Sequence, residues 1–517
     1  MAIKNGKILD LGNNEDILKN YSATESSDVK GKVVVPGIID AHCHFVGYGL
    51  GLSQVNLIST SSFNEVLSRV VSFSNKNKVA LDDTSPQTKE TKNSDNGWII
   101  GRGWDQNDWV EKKYPSNKEL DSLFPNRPVL LTRVDGHAAL VNSYALKMAG
   151  ITAETKISGG EFIKSGNRLT GVLIDRAVDF VTAVIPPVNE EEMMQALLSA
   201  QDNCLAVGLT TVDDAGIMKS DVDLIDALQK SGKLKMRVYA MLRDSLANYD
   251  YFLKSGPLKT ERLNVRSFKF YADGALGSRG ACLFKDYSDK PGWKGFLLTP
   301  RTHFEKYAEI LDKEGFQMNT HCIGDSAVNM VIGIYERYCN EKNNHRWRIE
   351  HSQIINDGDF KRFSLDIIPS VQPTHATSDM YWAGTRLGKE RLENSYAHKK
   401  LLKESGILAL GTDFPVEDIS PFKTFYAAVA RKDKKGLPAN GFQIENALSR
   451  EETLRGITIW AAYSNFEEHE KGSLEKGKLA DFIVLDKDLM TCDINDVLKI
   501  KVLSTYINGE KVFSLNN

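Results

Sequence analysis

The stretch KVVVPGIIDAHCHF, residues 32–45, runs from an apolar segment straight into two histidines. Val33, Val34, Val35, Ile38 and Ile39 read as a buried strand, broken at Pro36–Gly37. Residues i and i+2 of a strand point to the same side. His42 and His44 therefore project together from the strand's end. Two imidazoles aimed at one point suit a metal ion. The plainer alternative is a pair of polar residues in a loop.

Seven further apolar runs resemble this one. They are RPVLLTRVDGHA (127–138), GLTTVDDAG (208–216), VRSFKFYADGA (265–275), FQMNTHCIGD (316–325), RWRIEHSQ (346–353), DIIPSVQPTHA (366–376) and ILALGTDFP (407–415). Amphipathic segments such as EEEMMQALLSAQDNCLAVG separate many of them. Alternating strand and helix imply a parallel sheet, and eight such units suit a (β/α)8 TIM-type barrel. A doubly wound open sheet is the rival, but no Gly-rich phosphate loop follows the first strand. Polar residues gather where these strands end: His42, His44, His137, Asp213, Asp214, Lys269, Asp273, His321, His351, His375 and Asp413. Each alone fits a cap or a surface charge. Their shared position marks the end of a barrel that carries active sites.

With 517 residues the chain can bury a large core. A net charge of −3 gives no support for nucleic-acid binding. No apolar run reaches the length of a membrane span, and MAIKNGKILDLGNN lacks a signal peptide's apolar core. The six cysteines are scattered, without CxxC spacing, which fits a reducing compartment or plain burial. Cys43 and Cys322 adjoin histidines of interest, but strand alternation turns them to the opposite face.

Residues 74–97 are polar and lysine-rich and read as a mobile surface loop. The segment that follows holds Trp98, Trp104, Trp109 and Tyr114, which either line a pocket or lid or pack an insertion onto the barrel. Near the C-terminus, 472–486 and 502–513 read as strands, with Asn508–Gly509 as a hairpin turn. The N-terminal MAIKNGKILDLG reads as a hairpin turning at Asn5–Gly6. The two chain ends are therefore expected to form one small β-sandwich domain. The division is 1–35 and 466–517 for that domain, and 36–465 for the barrel, with insertions at about 50–127 and 151–190.

Together, PGIIDAHCH, FYADGALGSRGA, THCIGD, RIEHSQ, GTDFPVE and GSLEKGKLADFIVLD resemble the amidohydrolase superfamily. Within it they look like the amidohydrolase-3 branch, which includes N-substituted formamide deformylases. The match runs over nearly the whole chain. The resemblance implies metal ligation by His42, His44, Lys269, His321, His351 and Asp413, with Asp413 also transferring protons. It implies a divalent metal, zinc first, with one or two ions per chain; iron, manganese and nickel suit such ligands too. Lys269 is either carboxylated, bridging two metals through a carbon dioxide-derived carbamate, or unmodified and paired with Asp273.

The implied activity is hydrolysis of a non-peptide C–N bond, in an amide or N-substituted formamide, by metal-activated hydroxide. The alternatives are an ester, lactone or carbamate hydrolase and a catalytically silent relative acting as a scaffold. His137 and His375 are candidates for oxyanion stabilisation or substrate orientation, or are structural. Asp273, Arg279 and Trp104 are candidate substrate contacts. The partner is a small molecule, and a homodimer is the default assembly. Relatives usually carry a further strand before the segment matching MAIKNGKILDLG. The chain as it stands points to the cytoplasm, unless its start lies downstream of an export signal.

Overall fold

The computed structural model describes residues 1–82, 97–339, 344–364 and 366–515. Its centre is a parallel barrel of eight strands. In chain order these are β1 (Ile38–Cys43), β2 (Leu209–Ile217), β3 (Arg237–Arg243), β4 (Leu263–Tyr271), β5 (Gln317–Cys322), β6 (Trp347–His351), β7 (Ile367–Val371) and β8 (Ala409–Leu410). Neighbours in the chain are neighbours in the sheet, as right-handed βαβ units require. The ring closes where the backbone beyond β8 meets β1. Asp413 N–H donates to the His42 carbonyl at 2.7 Å, and His44 N–H donates to the Phe414 carbonyl at 2.8 Å.

One barrel strand differs from expectation. The run 127–138 is not in the barrel, and its place is taken by β3, sequence RVYAMLR. The run 127–138 instead supplies Val129–Arg133 and the start of Ala138–Val141, which pair antiparallel. They belong to a separate six-stranded sheet with Val55–Asn56, Ile99–Trp104, Gly160–Ser165 and Arg168–Asp175. The expected two insertions are thus joined through 128–150 into one unit between β1 and β2. The unit has its own core of Val55, Leu57, Trp104, Trp109, Leu131 and Ile174. Trp98 packs in an adjoining cluster and Tyr114 packs against the first. Packing, not a lid, accounts for these four aromatics. The expected loop at 74–97 begins as helix, since Phe63–Asp82 is one helical element. Residues 83–96 lie outside the described residues.

The two chain ends meet through Val33–Pro36, which the sequence pattern runs into the first barrel strand and the structure separates from it. Val33–Pro36 pairs with Phe482–Leu485, which continues antiparallel to Val502–Ile507 and Glu510–Ser514. The hairpin of Ala2–Lys4 and Lys7–Asp10 joins this sheet's flank through Ile8 N–H to the Lys478 carbonyl at 2.8 Å. Both Asn–Gly turns have positive φ at each residue, 52° and 76° at Asn5–Gly6 and 53° and 72° at Asn508–Gly509. That is the two-residue hairpin geometry this dipeptide favours. Among the described residues no helix is long and apolar enough to cross a membrane.

Candidate metal centre

His42 ends β1 fully buried, and His44 follows with its side chain 30% exposed. Their rings lie 5.7 Å apart, as the strand's alternation requires. Asp413, just past β8, reaches both: its Oδ1 is 3.2 Å from His44 Nε2 and 3.7 Å from His42 Nε2. His351 closes β6, with ring centroids 4.9 Å from His42 and 4.5 Å from His321. His375 sits on the helix Pro373–Asp379 after β7, its ring stacked 5.9 Å from His351 and its Nε2 3.6 Å from Asp413 Oδ2. Lys269 Nζ, on β4, is 3.2 Å from His42 Nε2. The six expected ligands therefore converge. Two groups of three could each hold an ion, His42–His44–Asp413 and His351–His375–Asp413, and they share the aspartate. His375, a candidate for oxyanion stabilisation, substrate orientation or a structural role, thus also stands where it could bind an ion.

The barrel interior fixes how these rings face. His42 Nδ1–H donates to Glu350 Oε2 at 2.5 Å. Glu350 Oε1 accepts from Arg348 Nε at 2.8 Å, and Arg348 Nη1 donates to Asp213 Oδ2 at 2.9 Å. His351 Nδ1–H donates to Gln372 Oε1 at 2.8 Å. In both histidines Nε2 is left for the centre, the arrangement usual for metal-binding imidazoles. Asp40 accepts the backbone N–H groups of Thr412 and His42 on one oxygen, tying the end of β8 to β1.

Burial keeps the imidazoles neutral: it pushes His42 down to about 4 and holds His321 and His351 well below the usual histidine range. Burial alone would raise Asp413, but the hydrogen bond from His44 and the surrounding imidazoles outweigh it and hold it well below the usual carboxylate range. Burial also lowers Lys269, to about 8. The buried Nε2 atoms of His321 and His375 have no hydrogen-bond partner. Neutral imidazoles, one firmly ionised carboxylate and open nitrogen lone pairs make a donor set that fits a divalent metal ion.

Above the cluster lies a cavity of about 230 Å³. Its floor includes Lys269, His321, His351 and Asp413, and the insertion supplies Ile58, Arg133 and His137 to its wall. His137 thus reaches the site from the insertion's hairpin, not from a barrel strand. Its Nδ1 is 2.6 Å from Asp175 Oδ1, and its ring centroid is 5.1 Å from that of His321. The Asp175 bond raises His137 against the opposing pull of burial.

Three expected substrate contacts are held elsewhere. Asp273 is fully buried and accepts the N–H groups of Cys282, Ile323 and Gly324 at 2.8–3.0 Å, which anchors the loop after β4 to the end of β5. Arg279 makes a two-point pair with Asp289. Trp104 donates its indole N–H to the Leu131 carbonyl at 2.7 Å within the insertion's core. None of the three lines the cavity. Cys43 and Cys322 pack in the apolar layer outside the barrel, as alternation implied. Glu350, Gln372 and Asp175 escaped the sequence reading, because each is recognisable only by a partner that folding brings near.

A parallel barrel that gathers histidines, a lysine and an aspartate at its strand ends is the architecture of a metal-dependent hydrolase. Residues 25–513 match the amidohydrolase family model, and the chain belongs to that family. It is 34% identical to LONG AFTER FAR-RED 3 of Arabidopsis thaliana over 99% of this chain and 88% of that protein. It is 25% identical to the N-substituted formamide deformylase of Arthrobacter pascens, over 98% and 94% of the two chains. The crystal structure of a metal-dependent hydrolase from Pyrococcus horikoshii superposes with a TM-score of 0.74 at 28% identity, covering 95% of this chain and 94% of that one.

Proposed function

We propose that this protein hydrolyses a small non-peptide amide, with N-substituted formamides as the first substrates to try. The reading rests above all on Asp413. It is an ionised carboxylate lining the cavity, shared by the pairs His42–His44 and His351–His375. His42, His44, Lys269, His321, His351, His375 and Asp413 would hold one or two divalent ions, zinc being the first choice for such ligands. When bound, the metal acidifies water and polarises the substrate carbonyl.

The chain's own residues do the rest. Asp413 takes the proton of the attacking water on its carboxylate and passes it to the leaving nitrogen, so the amine departs neutral. Glu350 and Gln372 hold His42 and His351 with Nε2 forward. The Lys269 amine, lowered by burial, is free to add carbon dioxide, losing one proton to give an anionic carbamate. The walled cavity, of a size for a small molecule, limits water around the leaving group.

The test pairs elemental analysis with a panel of formamides, other amides and lactones, on protein purified without chelator. One or two metal equivalents per chain, with amide hydrolysis lost in Asp413→Asn, is the expected result. Protein that takes up no metal even after metal and bicarbonate are supplied, or that hydrolyses only lactones, would overturn the reading.

A further inference from the structure

His137 and Asp175 occupy one rung of the insertion's sheet. Asp175 ends the strand Arg168–Asp175, and its N–H donates to the His137 carbonyl at 2.8 Å, one step beyond the Ile174–Ala138 pair. Their side chains meet on that rung, Nδ1 to Oδ1 at 2.6 Å. The Asp175 side chain is 1% exposed and its φ is 48°, so the backbone is bent into the left-handed region to place it. The barrel loop after β4 is shaped around the same carboxylate. A Cβ on Gly274 or on Gly280 would come within 2.6 Å of Asp175 Oδ2. The insertion and the barrel are thus both fitted to one buried acid whose side-chain hydrogen bond, among the described residues, is to His137 alone.

An ionised carboxylate only accepts hydrogen bonds. Nδ1 of His137 therefore carries the hydrogen, and in the neutral ring the lone pair lies at Nε2. The ring lines the cavity beside His321, and Nε2 is the nitrogen that Asp175 leaves unused. A lone pair on the cavity wall attracts an N–H donor and repels a carbonyl or ester oxygen.

We propose that Asp175 is a positioning residue that fixes this tautomer, and that His137 Nε2 accepts the N–H of the scissile amide. The insertion then selects amides that keep an N–H on the leaving nitrogen over N,N-disubstituted amides and esters. This rests on the amide-hydrolase reading above and narrows its substrate class. Of the roles the sequence leaves open for His137, this is substrate orientation, not donation to an oxyanion.

The first arm of the test needs no turnover. Histidine-selective 15N NMR of the metal-loaded protein at pH 8, with Asn at position 137 (H137N) to assign the resonance, reads the tautomer directly. We expect Nδ1 protonated and Nε2 bare in the wild type. In Asp175→Asn the amide NH2 can turn to Nδ1, and the tautomer reverses. Asp175→Ala, which adds no donor, replaces it if that variant does not fold, and there the preference for Nδ1–H is lost. A wild-type ring protonated at Nε2, or a tautomer indifferent to both variants, overturns the proposal.

The second arm compares N-butylformamide with N-butyl-N-methylformamide. We expect kcat/KM to favour the N–H substrate at least tenfold in the wild type, and the preference to fall below threefold in H137A and D175N. Equal rates in the wild type overturn the selectivity. Hydrolysis of neither formamide overturns the amide reading together with the selectivity, whereas a wrong tautomer overturns the roles given to Asp175 and His137 and leaves the amide reading standing.

Discussion

Glu350 touches neither the cavity nor the solvent, yet it decides which nitrogen His42 offers. Arg348 and Glu350 face the barrel interior by alternation along β6, and on that rule His351 would face outward. The left-handed backbone at His351, φ 69°, and at Ser352, φ 43°, turns the imidazole inward instead. Left-handed backbone away from glycine is costly and recurs at functional sites, and Asp413 shows it too, at 61°. His42 and His44 were legible in the sequence because a strand's alternation is local. Glu350 was not, because its meaning comes from His42, 308 positions away. Glu350→Gln keeps the shape but removes the charge that holds Nδ1–H. We expect metal affinity to fall about 10- to 100-fold, the usual cost of losing such a partner. Competition with a chromophoric chelator measures this without any substrate, and an unchanged affinity would show that Glu350 serves the fold alone.

Among the elements, β3 and the insertion show where pattern reading misleads. RVYAMLR is buried along six of its seven residues, and the Asp244 that follows it pairs with Tyr249 and His303 and does not line the cavity. RPVLLTRVDGHA has the apolar run and the histidine, so it imitates a barrel strand. Its Asp135–Gly136 turn leads straight into an antiparallel partner, which a βαβ barrel does not use. The helix Phe45–Gly51 shows how an element aims the centre, since it starts directly after His44. Asp214 caps it by accepting the N–H groups of Phe45 and Val46 at 3.1 and 3.0 Å. Its other end packs on the helix Glu190–Ala206. A Cβ at Gly49 would lie 2.4 Å from the Ala196 carbonyl oxygen, a backbone atom that cannot step aside. Gly49→Ala should therefore cost about 2 kcal/mol as an overpacking change. Urea unfolding measures it, and a variant as stable as the wild type would show that the two helices can part without strain.

Across the whole molecule the chain's last fifty residues are bound to the barrel through buried charges. Arg237 of β3 makes a two-point pair with Asp481. Glu467, 4% exposed, pairs with Lys471 at 2.6 Å and with Lys259, which lies on a short strand paired with β4. Burial would raise Glu467, but the Lys471 and Lys259 charges outweigh it and bring it from 4.5 to about 2. A carboxyl with a lowered native pKa stabilises the fold fully above its unfolded value and loses that contribution as pH falls through its native value. The window is thus from about pH 4.5 down to about pH 2, and the shift corresponds to about 3 kcal/mol. The two Asn–Gly hairpins at the chain ends were legible from the sequence, whereas this charge lattice was not, because Lys259 and Glu467 are 208 residues apart. Glu467→Gln cannot titrate and leaves Lys259 and Lys471 without their anion, so it should be less stable at neutral pH. Its unfolding free energy should also fall less steeply than the wild type's between pH 4.5 and 2. Urea midpoints taken in half-unit steps across that window would show the two curves converging towards acid. Parallel curves would mean that Glu467 is solvated or already protonated, and that the Arg237–Asp481 pair and packing hold the C-terminal segment to the barrel without it.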